Sequence, residues 1–167
     1  MKVDVTVTVE HTALETLTEA DVRRFLVAQG RNMVTQARKN IVGWGGKSGK
    51  WPPLSKAYEK RKKDGGTPGA GKNRYAMLRD TGALYEGLTS VVEVNGMGVA
   101  SVSLDADGVS GGRPTNSELL LIHAEGRGRV PVRNPAADMS LFEKRFAEEL
   151  DRFLFEKTGS VGRQTRA

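Results

Sequence analysis

The stretch that comes nearest to a reacting site is Gly66-Thr67-Pro68-Gly69-Ala70-Gly71-Lys72-Asn73. It approaches the phosphate loop G-x-x-x-x-G-K-[ST], in which backbone amides curl around phosphate, the lysine reaches the terminal oxygens and a hydroxyl holds magnesium. Asn73 stands where the hydroxyl is needed. Lys60 to Asp64 are charged where a buried strand should launch the loop, and Thr81-Gly82 arrives too soon for the helix that should follow it. Leu104-Asp105 is a poor substitute for the strand-borne magnesium aspartate, because its strand alternates instead of being apolar throughout. The stretch reads as a flexible glycine-rich loop and not as a nucleotide site.

Other reacting groups are sparse. The chain has no cysteine and two histidines, His11 and His123. Thiolate chemistry and disulfides are therefore excluded, and two histidines fall short of the four ligands a structural zinc takes. Glu125 lies near His123 in sequence, so an acid–base pair is conceivable there; a structural histidine beside a turn is the expectation. No serine sits in a G-x-S-x-G elbow. No catalytic set, metal or cofactor is expected, and the chain reads as a non-enzyme.

Charge supplies the remaining candidate. The 167 residues carry +6 overall, yet between Gly43 and Arg79 ten basic residues face only Glu59 and Asp64, an excess of eight. Lys47, Lys50, Lys56, Lys60, Arg61, Lys62, Lys63, Lys72 and Arg74 are the candidate contacts to DNA or a protein partner. Phosphate contacts need only cations and tolerate irregular spacing, so such a segment can serve a polyanion. Trp44, Trp51, Tyr58 and Tyr75 lie among these charges, where they either stack on bases or belong to the core while the lysines are solvated.

The elements that must position these residues follow from periodicity. Val3, Val5, Val7 and Val9 alternate with Asp4, Thr6 and Thr8, as in a strand with one buried face. Thr18 is placed as an N-cap with Asp21 three residues on, and Val22, Phe25, Leu26, Met33, Ala37 and Ile41 recur at helical spacing, predicting a helix over Glu19 to Val42. Gly30 within it should cost about 1 kcal/mol relative to alanine. Gly43, Gly45 and Gly46 stop it. After Trp51-Pro52-Pro53-Leu54, Ser55 caps a short helix through Lys62. Asp80-Thr81-Gly82 opens a second capped turn reaching about Leu88. Val91 to Val94 and Val99 to Leu104 flank Asn95-Gly96-Met97-Gly98, a hairpin signal. Glu118 to Glu125 suits either a short helix or a strand. Arg129 to Arg133 is extended, and Pro131 limits it to an edge or a strand end. Ser140 with Glu143 forms a capping box before a last helix whose stripe is Phe142, Phe146, Leu150, Phe153 and Leu154, ended by Thr158-Gly159.

The expected fold is α+β, with two amphipathic helices packed on a small, mostly antiparallel sheet and joined by long loops. One domain over residues 1–159 is expected, with flexible loops near 43–50, 64–73 and 105–117 and a flexible tail over 160–167. A chain of this length can bury roughly 70% of its unfolded surface and needs no staples. No apolar run nears the ~20 residues that span a bilayer, and Met1 to Thr6 alternate instead of forming a secretory leader, so no membrane partner and a cytoplasmic place of synthesis are expected.

Three landmarks in order resemble the phage virion morphogenesis family, the Mu G-like and tail-completion S-like proteins. Trp51-Pro52-Pro53-Leu54-Ser55, followed by Tyr58 and Arg61-Lys62, is similar to the family's W-x-P-L-S segment and basic turn. Leu78-Arg79-Asp80-Thr81-Gly82-Ala83-Leu84 resembles its L-x-x-T-G-x-L turn. His123-Ala124-Glu125-Gly126, followed by Val130-Pro131-Val132-Arg133, resembles its H-x-x-G and P-x-R pair. Leu120-Leu121 replaces an aromatic-alanine pair common before the histidine, and Asn134-Pro135 replaces an aromatic run after the arginine. The resemblance implies a structural protein that completes the tail or joins it to the head connector, as a ring of six or twelve copies around the DNA channel. Its implied partners are copies of itself, the head connector or adaptor, tail tube or terminator proteins, and genomic DNA. Its implied place is the virion neck or tail end, after assembly in the host cytoplasm. The motif residues Trp51, Pro53, Leu54, Ser55, Thr81, Gly82, Leu84, His123, Gly126, Pro131 and Arg133 are expected to act as caps and turns. The alternative, from the basic 43–79 segment alone, is a phage DNA-binding accessory protein.

Overall fold

The hydroxyl of Thr18 does what its position predicts. In the computed structural model, which describes residues 4–8, 17–43, 51–63, 78, 82–94, 99–108, 114–128, 130–136 and 139–159, Thr18 is extended and its Oγ1 accepts from the Asp21 amide at 3.1 Å. It also donates to Asp21 Oδ2 at 2.6 Å. From that cap α1 runs over Glu19–Val42. β1 (Asp4–Thr8) precedes it. Then come α2 (Lys56–Lys63), α3 (Ala83–Gly87), β2 (Leu88–Val94), β3 (Val99–Ala106), α4 (Asn116–Glu125) and α5 (Ser140–Thr158). This is the expected α+β class.

β2 and β3 pair as the antiparallel hairpin the sequence predicts, with Val92 opposite Val102. β1 pairs antiparallel on the other edge of β3, which makes the order β1-β3-β2 and sets Val5 opposite Val102 and Val7 opposite Ala100. Ala100, Val102, Leu104 and Ala106 alternate along the central strand and are buried. Against the sheet lies α1, burying Leu26, Met33, Ala37 and Ile41. α5 packs antiparallel along α1: the Phe25 ring meets Phe146 edge-on at 5.6 Å and stacks on Phe153 at 4.8 Å. Gln29 Nε2 donates to Glu149 Oε2 at 2.6 Å, and Lys157 pairs with Asp21 at 2.9 Å.

Gly30 corrects the reading of it as a tolerated loss. A Cβ there would lie 2.2 Å from Ser90 Oγ and 2.8 Å from Ser90 Cβ, so the bare backbone is what lets α1 approach β2. The capping box expected at Ser140 is also corrected. Buried Met139 is the N-cap of α5, without a side-chain cap bond, and Ser140 is already helical. The full box belongs to Thr115 and Glu118, which open α4, so the Glu118–Glu125 alternative resolves as helix. The expected 105–117 loop is shorter than read: β3 continues through Ala106, the Asp107 amide donates to Gly87 O, and the Asn116 amide to Gly108 O. The expected tail over 160–167, the 64–73 loop and most of the 43–50 loop lie outside the described residues, as does the Asn95–Gly98 turn. Among the described residues no helix is long and apolar enough to cross a membrane.

Candidate functional site

Residues of the first and third landmarks meet at one side chain, Arg133. It is 7% exposed, and its guanidinium donates to Pro52 O from Nε (3.2 Å) and Nη2 (3.1 Å) and to Pro53 O from Nη2 (3.2 Å). A planar fork suits this role, since one guanidinium can donate to two neighbouring carbonyls at once. The Arg133 amide donates to His123 O at 2.7 Å, taking up a carbonyl near the C-terminus of α4 that the helix itself leaves open. Gly126 ends α4 at φ 71°, and a Cβ there would lie 2.6 Å from Val132 Cγ2. The segment from Gly126 to Arg133 therefore folds back on α4 as a clasp. It is not the edge or end of a strand, as Pro131 suggested: residues 130–134 join no ladder.

The clasp holds α2 to the body. Trp51, just before the prolines, is buried in the core, and Leu54 packs against it. Ser55 Oγ accepts from the Tyr58 amide at 3.3 Å and opens α2 as expected. The burial of Trp51 settles its part of the basic segment in favour of core over base stacking. Lys56 and Lys60 are exposed on α2. The side chains of Arg61, Lys62 and Lys63 lie outside the described residues, as do Lys47, Lys50, Lys72 and Arg74, Trp44 and Tyr75, and the phosphate-loop look-alike Gly66–Asn73.

His123 lies under the clasp with Nδ1 buried and unpartnered. Burial, and then the neighbouring Arg133 charge, hold its pKa down to about 4, so the ring is neutral near pH 7. Glu125 is not its acid–base partner: that carboxylate pairs with Arg127 at 2.8 Å, as positions two apart on a helix point in different directions. Arg133 in turn has its own pKa lowered, chiefly by burial.

The second landmark is placed at the other end of α4. Gly82 adopts φ 90° as the N-cap of α3 and supplies no side-chain cap, so a glycine and not a hydroxyl begins the turn; Thr81 is outside the described residues. Leu84 is buried, and Leu78, at φ 58°, packs against the core. Two side chains that sequence reasoning missed hold this end. Asn116 Nδ2 donates to Ala83 O (3.1 Å) and Asp107 O (2.6 Å), tying α4 to α3 and to the end of β3. Arg38 donates to Tyr85 O and Glu86 O and lies 5.5 Å over the Tyr85 ring. The Thr115-x-x-Glu118 spacing was the signal that could have marked the Asn116 corner.

Between α4 and β3 lies a cavity of about 160 Å³, lined largely by Leu104, Leu120, Leu121, Ala124 and Ala136. Ligand pockets commonly measure about 300–1,000 Å³, so this one suits a few waters and not a nucleotide. Both of its carboxylates are engaged: Asp105 accepts from Ser117 Oγ and the Ala106 amide at 2.8 Å each, and Glu118 from the Thr115 amide and hydroxyl at 2.8 and 3.0 Å. Among the described residues no three metal-ligating side chains come together. The arrangement ties the Pro52-Pro53 segment, which leads into α2, to the turn after α4. No family model, curated protein or solved structure matches this chain.

Proposed function

We propose that this chain is a structural virion-assembly protein of a tailed phage, completing the tail or joining it to the head connector as a ring around the DNA channel. The observation that carries the reading is the Arg133 clasp. The first and third landmarks of the virion morphogenesis pattern lie some eighty residues apart, and Arg133 of one is bonded to the Pro52 and Pro53 carbonyls of the other. Residues of two of the three landmarks therefore meet in one contact, beside the start of α2. That meeting supports the reading of the landmarks as parts of one scaffold. A ring is built from heterologous contacts, for which an exposed element such as α2 offers one surface. Its charge also suits a path lined for DNA.

The test is genetic. Removing the gene from its phage should leave filled heads and finished tails that do not join, and supplying the chain in trans should restore joined particles. Normal joined particles from the deletion would end the proposal.

A further inference from the structure

The charge-rich 43–79 segment is not the only basic feature that the fold displays. From Val22 to Val42, α1 contains Arg23, Arg24, Arg31, Arg38 and Lys39 and no acidic residue. Two of these five are engaged: Arg23 pairs with Glu19 at 3.2 Å, and Arg38 reaches the carbonyls at the end of α3. Arg24, Arg31 and Lys39 are exposed, and no carboxylate among the described residues lies within ion-pair distance of them. Steps of seven and eight residues keep them on one face of a 3.6-residue helix, turned away from the sheet. The exposed residues between them on that ridge are Ala28 and Thr35, both small. Arg145 of α5 extends the charge sideways: it is exposed, and lines with Lys39 and Thr35 a groove of about 90 Å³ between the two helices. Glu149 lies on the same groove and accepts from Gln29 Nε2 at 2.6 Å, so the groove carries one negative charge beside Lys39 and Arg145.

We propose that this ridge is a contact surface for the backbone of double-stranded DNA, with Arg24, Arg31, Lys39 and Arg145 meeting phosphates. An ordinary solvated helix face mixes both signs, and i,i+4 acid–base pairs stabilise it; this face has given up that support over its last five turns. The ridge extends about 22 Å, with cations about 10 and 12 Å apart along the axis. Either gap is close to the roughly 12 Å width of the major groove, so one adjacent pair of cations can reach its two walls while the third meets a phosphate beyond it. The small residues between them let the duplex approach the helix. Contacts to phosphates carry charge and position and no sequence information, so the binding is indifferent to sequence. The surface is separate from α2, and the inference does not depend on the assembly role.

The experiment uses the full chain and a fluorescent duplex of about 30 base pairs, read by anisotropy across about 50–200 mM salt. The variant Arg24→Gln/Arg31→Gln/Lys39→Gln changes only exposed side chains and should melt like the parent. Three lost phosphate contacts should flatten the slope of log K against log salt by about 2.7, which removes about 40-fold of the affinity loss across that range. Affinity at the lowest salt should fall by at least about tenfold. Lys56→Gln/Lys60→Gln serves as the comparison on α2. A triple variant that binds like the parent would overturn the ridge and leave the assembly proposal standing. Absence of parent binding at about 50 mM salt would also overturn it. So would poly-glutamate binding as tightly as DNA and with the same variant losses, which would assign the ridge to an acidic protein surface.

Discussion

Arg133→Met removes the clasp while keeping most of the side chain's length. Arg133 makes three hydrogen bonds to two proline carbonyls at 3.1–3.2 Å. A hydrogen bond involving a charged group is worth about 1.5–3 kcal/mol, and two acceptors rather than three bonds set the scale, because Nε and Nη2 share Pro52 O. The buried guanidinium also carries a desolvation cost, which its lowered pKa reflects and which methionine removes. The net loss should be about 2–3 kcal/mol. For a domain of this size that is a fall in Tm of about 5–10 °C. Calorimetry or thermal circular dichroism measures it. A second readout separates charge from packing: without the Arg133 charge, the His123 pKa should rise from about 4, though burial, its larger cause, should keep it below the ordinary value. Arg133→Lys retains a charge but not the fork, so it should lose stability while leaving His123 titrating low. A Tm within about 1 °C of the parent for Arg133→Met, with an unmoved imidazole titration by NMR, would refute the clasp.

Gly30→Ala should destabilise the chain by about 1–2 kcal/mol, because the overlap with Ser90 outweighs the roughly 1 kcal/mol gain in helix propensity. Adding Ser90→Gly should relieve part of that loss in a double-mutant cycle; strict additivity of the two changes would show that α1 and β2 do not meet there as described. Stability should also depend on acid. His123 is neutral in the fold down to about pH 4 but takes a proton near its ordinary 6.5 when unfolded, so its contribution is complete above about 6.5 and is lost as the pH falls from there through 4. After discounting for partial exposure, the loss is about 2 kcal/mol. Asp21, lowered to about 2 first by its Thr18 hydrogen bond and then by Lys157, loses its contribution only below its ordinary 3.8, a lower window. Urea melts of His123→Gln should therefore be flatter than the parent's between pH 6.5 and 4.5, and identical slopes would contradict the burial of that ring.

The long helix was legible because its apolar stripe, its Thr18 cap and its glycine stop all agree locally. The hairpin was legible for the same reason, from alternation on both sides of a turn signal. What escaped depends on residues far apart in sequence. Gly30 looks like a helix defect until Ser90 is placed 2.2 Å from its missing Cβ. The Ser140 box failed because Ser140 is already the first helical residue, and the N-cap before it is the buried Met139, which makes no side-chain cap bond. Arg129 to Arg133 had the composition of a strand end, but the open carbonyl of His123 claims its amide. No local pattern announces such a carbonyl. That Arg133 bonds to Pro52 and Pro53, some eighty residues away, needed coordinates. The basic ridge of α1 was hidden for a plainer reason: its cations are spread over the helix, and only the fold separates the engaged ones from those facing solvent.

The assembly proposal is tested most directly by imaging purified, intact virions at a resolution that resolves secondary structure. The α1–α5 pair and three-stranded sheet should be found repeated as a ring at the head–tail junction or the tail end, with α2 at the contact between neighbouring copies. Particles that are complete and infectious but contain no copy of the chain would contradict it.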